Sequence, residues 1–194
     1  ADDTVMEKVL AESRRGTLFV GIDKSVRRIS DYSVTVRVPA NGEIRALDAS
    51  SAAQIICETA LEAYEFLIDV SSAAQIDVAL KATQCRIDVS SAGELVAALE
   101  ADSCTADLSS AAKARLSGRS RWCEVDVSSA ANFDAGRLVI AHGLIDASSG
   151  ASADVHCTDT LRASASSGAD ISYSGECKVE AQHSSGGSVH SINR

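Results

Sequence analysis

A Ser-Ser pair recurs eight times down the chain, at 50-51, 71-72, 90-91, 109-110, 128-129, 148-149, 166-167 and 184-185, in steps of 18 to 21 residues. A unit of about 20 residues is too small to bury its own apolar face, so neighbouring units must stack and share one core. Two residues before each pair stand Asp48, Asp69, Asp88, Asp107, Asp126 and Asp146, then Ser164 and Gln182. The positions on either side of that polar column, such as Ile68 and Val70 or Ile87 and Val89, are almost wholly apolar. Apolar residues at alternate positions have the period of a half-buried strand, whereas a helix demands partners at three and four.

The alternation resumes after the pair. Three residues on come small residues (Ala53, Ala74, Gly93, Ala112, Ala131, Ala151, Ala169, Gly187), and five residues on mostly larger apolar ones (Ile55, Ile76, Leu95, Phe133, Ile171, Val189). Each unit therefore reads as a strand, a tight corner at Ser-Ser-Ala or Ser-Ser-Gly and a second strand. A second corner falls near Lys81-Ala82-Thr83, Glu100-Ala101-Asp102 and Gly118-Arg119-Ser120. The expected fold is an all-β, right-handed parallel β-helix with about 19 residues per coil and two main sheets, because parallel crossovers are nearly always right-handed. A leucine-rich horseshoe lacks its signature here, and helical solenoids need longer periods.

The pattern changes near residue 43. Before it, Thr17–Ile22 and Tyr32–Val38 read as strands, Val5–Leu10 as either a helix turn or a strand, and Pro39-Ala40-Asn41-Gly42 as the turn into the regular repeats. The expected organisation is one β-helix domain over 1–194, with irregular coils over 1–42 capping one end and eight Ser-Ser-marked coils over 43–194. No run approaches 18 apolar residues, so no transmembrane segment is expected. Ala1–Leu10, with three acids, is no signal peptide. A net charge of −9 and the absence of a basic stripe argue against a nucleic-acid partner; the pairs Arg14-Arg15 and Arg27-Arg28 read as solvated surface.

The segment Val34–Pro39, with its V-x-V-x-V-P form, and the closing stretches Leu161–Ile171 and Ser184–Val189 resemble a bacterial auto-transporter adhesin family, the head GIN domain. The resemblance covers essentially the whole chain. That family's corner is often Gly-Ser-Gly, and here the middle coils use Ser-Ser-Ala, which keeps the residues small. The family's usual opening strands are not seen before Ala1, so the expectation is a chain that begins partway through the domain. The resemblance implies a two-sheeted parallel β-helix in cell-envelope or secreted proteins, a role in adhesion and no catalytic residues to carry over.

The chemistry-bearing residues are weighed against that background. Cys85, Cys104 and Cys123 lie 19 apart and share the inward phase, so they should stack as free, buried thiols, since in-register parallel side chains hold their Cβ atoms too far apart for a disulfide. Cys57 should do the same; a phase slip at the second corner leaves Cys157 and Cys177 open. The absence of C-x-x-C and of His at ligand spacing argues against zinc. The column Asp48, Asp69, Asp88, Asp107, Asp126 and Asp146 reads as a corner device in which each carboxylate accepts hydrogen bonds from the turn, with a cation such as calcium bound along the column as the alternative.

An enzyme acting on polysaccharides would use outward Asp77, Asp134 and Asp154 with Arg115; these also read as ordinary surface residues. Sugar sites favour aromatic platforms, and the chain has one Trp and three Tyr. The four His (His142, His156, His183, His190) occupy unrelated columns, so no Ser gains a base. The expected function is a non-enzymatic binding or adhesion module without a cofactor, its partner a surface glycan or protein meeting the outward columns Gln54, Gln75, Glu94, Lys113, Asn132 or Arg86, Thr105, Glu124. A polysaccharide-processing enzyme and a structural spacer are the alternatives, and exposed strand edges at the ends suggest end-to-end association.

Overall fold

The computed structural model describes residues 8–23, 34–39 and 44–193. Val5–Glu7, Arg27-Arg28, Tyr32-Ser33 and Ala40–Gly42, on which some of the expectations fall, lie outside them. The chain forms two compact units, Ala1–Asn41 and Gly42–Arg194.

In the first unit, β1 (Val9–Arg14) and β2 (Thr17–Ile22) pair antiparallel, with Arg14 opposite Thr17. Parallel coils were expected here, and over these residues the chain makes a hairpin instead. Its two-residue loop explains why: Arg15 and Gly16 have φ of 51° and 81°, the pair of positive values that a type I′ turn requires and that suits strand twist. Val34–Pro39 form no strand, so the strand expected there is absent over those residues.

The second unit is a parallel β-solenoid. Its strands are β3 (Ala46–Ala49), β4 (Gln54–Ile56), β5 (Leu61–Val70), β6 (Gln75–Val89), β7 (Glu94–Leu108), β8 (Lys113–Val127), β9 (Asn132–Ala147), β10 (Ser152–Ala165), β11 (Asp170–Ser174), β12 (Lys178–His183) and β13 (Ser188–Ser191). Each coil pairs in parallel with the next, and the register is the one the Ser-Ser spacing demands. Ile68, Ile87, Ala106, Val125, Ile145 and Ala163 lie side by side inside one wall, and Ile55, Ile76, Leu95, Ala114, Phe133, Ala153 and Ile171 inside the other. Side-chain volumes compensate along the column: fully buried Phe133 sits between Ala114 and Ala153. Among the described residues there is no helix, and none long and apolar enough to cross a membrane.

The first corner is a β-turn built eight times over. In each, the N–H of the fourth residue donates to the carbonyl of the first Ser, as from Ala74 to Ser71 at 3.0 Å and from Ala112 to Ser109 at 3.1 Å. The second Ser and the residue after it both have positive φ, for example 55° at Ser110 and 61° at Ala111, again the type I′ pattern. Left-handed backbone costs a residue with a Cβ about 1 kcal/mol. Hydrogen bonds between stacked corners, such as Ala73 N–H to the Ser91 carbonyl at 3.0 Å and Ala92 to Ser110 at 2.9 Å, offset that cost and carry the ladder around the bend.

The second corner behaves differently. β6, β7 and β8 run through it as 15-residue strands. Inward residues are even-numbered through Ala82 and odd-numbered from Cys85, so Thr83 and Gln84 both face out where the strand bends. One residue per coil (Thr83, Asp102, Arg121) drops from the ladder there, and the two walls join in a single sheet network. Changes in coil length are absorbed between the first corner and the second. The 20-residue coil of β9 carries a bulge between Asp134 and Arg137, and the 18-residue coil of β10 shifts register at Val155/His156 and Cys157/Thr160.

Candidate functional site: the second corner and its flanking wall

The expected Cys ladder forms. Cys85, Cys104 and Cys123 are adjacent in register, buried and free. A hydrogen bond with Cys104, then burial, pushes the Cys85 thiol far up; the bond with Cys123 does the same for Cys104. These thiols are inert packing groups at neutral pH. Cys57, expected inside, is half-buried at the edge of the core, with its thiol raised by desolvation and by Asp77. Cys157 is fully buried and donates to the Thr160 carbonyl at 3.1 Å, while half-buried Cys177 is pushed to about 11 by burial and by neighbouring Cys157. The register shifts around Cys157 are the phase slip that left this pair open in the sequence.

The aspartate column stacks from Asp48 to Asp146 as expected, one carboxylate per coil. Among the described residues no hydrogen bond joins these carboxylates to a corner; at Ser71–Ala74 the N–H groups of Ser71, Ala73 and Ala74 bond main-chain carbonyls, and that of Ser72 is not among them. Desolvation, then Asp48 and Asp88, raises Asp69; desolvation, then Asp146, Asp107 and Glu124, raises Asp126. Arg86 reaches Asp107 at 3.9 Å. No three His, Cys, Asp or Glu side chains among the described residues are placed to hold a metal ion.

Of the carboxylates an enzyme would need, only Asp134 is adjacent to Arg115 in register; Asp154 and Asp77 each stand two coils from Arg115, beyond Asp134 and Val96. Arg115 pairs with Asp134 at 3.2 Å. The four His fall in four different columns. The outward column from Gln54 onward is occupied with itself: Gln54 donates to Gln75 at 3.3 Å, Gln75 to Glu94 at 3.4 Å, Lys113 to Glu94 at 3.2 Å and Asn132 to Ser152 at 2.6 Å.

The second corner carries an open groove of about 720 Å³ that runs along β5 to β10. Its sides carry alternating charges from Glu62, Lys81, Glu100 and Arg119, with Arg119 pairing with Glu100 at 3.4 Å, and its floor is made by small Ala82, Ala101 and Ser120. Exposed Tyr64 and Val139 stand among the lining residues. Buried Ser120 donates to the Trp122 carbonyl at 2.7 Å and so fixes the backbone from which Arg121 and Trp122 emerge.

Trp122 is the feature the sequence reading passed over. It precedes inward Cys123, and that phase marks it as facing out. Trp122 is 55% exposed, and its ring stacks on His142 of the next coil, with centroids 4.4 Å apart and planes at 29°. His142 is held in turn by Thr160 at 2.8 Å and Asp159 at 3.6 Å.

Comparison with known proteins places this geometry. The family described as "putative auto-transporter adhesin, head GIN domain" matches residues 1–177. A crystal structure of a "putative lipid binding protein" from Parabacteroides distasonis superposes with a TM-score of 0.86 at 15% identity, covering 99% of this chain and 82% of that one. A "putative adhesin" from Parabacteroides merdae gives 0.85 at 16%, covering 99% and 81%, and another from Bacteroides fragilis gives 0.68 at 15%, covering 98% and 79%. Likeness at this identity speaks for the fold alone. Comparison with proteins of curated function found no match. With the coil register, the corners and the matched span in agreement, the chain belongs to the family described as "putative auto-transporter adhesin, head GIN domain".

Proposed function

We propose that the chain is a non-enzymatic binding module of the cell envelope or cell surface that works by adhesion, engaging its partner along the second-corner groove. The observation that carries this reading is the contrast between the walls. The Gln54 column satisfies its own hydrogen bonds, whereas the groove is open, crosses six strands and is flanked by exposed Tyr64, Val139 and Trp122. Alternating charge over a floor of small residues suits an extended polar partner, a glycan or a protein segment, better than an acyl chain, which would need an apolar lining. Family membership supports a location at the surface.

The test is to probe arrays of bacterial and host glycans, matrix proteins and lipid vesicles with the full chain and with Thr83→Trp, which fills the groove. One reproducible glycan or protein signal that the substitution removes is the expected result. Cleavage of a polysaccharide would make the chain an enzyme, and silence on every surface would reduce it to a spacer.

A further inference from the structure

Resting on that reading, we propose that Trp122 is a stacking platform for a single pyranose ring of a surface glycan, held in a slot over Ser103. The register places Gln84, Ser103, Trp122, His142 and Thr160 in one outward column, one per coil. His142 covers one face of the indole. The register puts Ser103 on the other side of Trp122, a side chain too short to cover an indole face, and Trp122 stays 55% exposed. Coils repeat about every 4.8 Å, so Gln84 stands roughly 9–10 Å along the column from Trp122. That gap admits one saturated ring stacked on the indole, with Gln84 as the far wall.

The chemistry of the slot matches a sugar on both of its surfaces. The electron-rich indole face attracts the weakly positive C–H face of a pyranose. Around it, Ser103 and Thr105 offer hydroxyls, Gln84 an amide, and Glu124 and Arg86 charged acceptors and donors for ring hydroxyls, all on the same wall. A quaternary ammonium would also favour an open indole, but it needs several aromatic faces and no nearby cation; here one face is free and Arg86 and Arg121 flank it. The platform is set before the ligand arrives, because the stack on His142 and the bond from Ser120 to the Trp122 carbonyl fix the ring and its backbone.

The chain has one tryptophan, so its fluorescence reports on this slot alone. The experiment titrates the full chain with neutral hexose trisaccharides of gluco, manno and galacto configuration, with tetramethylammonium chloride and with phosphatidylcholine vesicles. It is repeated by calorimetry on Trp122→Ala and on Ser103→Tyr, which fills the slot and leaves the indole in place. At least one trisaccharide is expected to shift the emission of the wild-type chain, and both variants to bind it at least about tenfold more weakly. Trisaccharide binding that survives both substitutions would overturn the Trp122 platform while leaving adhesion through the groove intact. So would a response to tetramethylammonium or vesicles alone. Absence of any response, with array binding still blocked by Thr83→Trp, would overturn the platform and keep the groove; loss of array binding as well would remove the functional reading with it.

Discussion

The two corners of each coil obey opposite rules. At the first, eight Ser-Ser turns repeat one hydrogen bond and one pair of positive φ angles, and even the final Ser184–Gly187 turn keeps them. At the second, Thr83, Asp102 and Arg121 drop from the ladder, coils of 18 and 20 residues are reconciled by bulges and shifts in and before it, and the exposed side chains change character from coil to coil. A solenoid needs one rigid edge to hold its register. Once that edge is fixed, the other is free to vary, and the groove, Trp122 and His142 all lie there.

Deleting a residue should separate the corners most sharply. Removal of Ser110 leaves the turn one residue short and turns the inward face of the next strand outward. We expect it to cost more than about 4 kcal/mol and to abolish the cooperative thermal transition. Removal of Asp102 should leave a cooperative melt, because the coil of β10 already runs short on that side. Equal damage from the two deletions would end the distinction.

Substitution should show the same asymmetry at lower amplitude. A β-branched side chain at φ 55° is strained, so Ser110→Val should cost about 2 kcal/mol in denaturant unfolding. Asp102→Val, at a position outside the ladder, should change stability by less than about 0.5 kcal/mol.

The smallest effect concerns the carboxylates leading into the first corner. Asp69 and Asp126 are raised in the folded chain, so the stability they contribute is complete below the unfolded carboxylate value and is lost as pH rises through the folded one. Asp88→Asn relieves the neighbouring repulsion and should stabilise the chain at pH 7 by up to about 1 kcal/mol, a gain that vanishes below about pH 4. A destabilised Asp88→Asn at pH 7 would mean that the carboxylates support the corners after all.

What was legible in the sequence follows the same division. The coil register, both interior columns and the thiol ladder could be read because the first corner fixes phase, so that spacing alone places Ile68 beside Ile87 and Cys85 beside Cys104. The turn type was hidden, since Ser and Ala are not the residues that left-handed backbone favours, and only stacking between coils holds them there. The hairpin at Arg15-Gly16 was hidden too, because a lone Gly between two apolar runs does not say which way the strands pair. Trp122 and His142 each stand six residues before a Ser-Ser pair, so their adjacency could be counted from the sequence, but spacing alone does not say that the two rings stack.

The register can be tested directly by diffraction from crystals of the full chain. The account predicts Ser71, Ser90, Ser109, Ser128 and Ser148 in one file, about 4.8 Å apart, each followed by two residues of positive φ. Antiparallel pairing between successive coils, or serine pairs dispersed over separate faces, would contradict it and remove the columns on which the groove and the Trp122 slot depend.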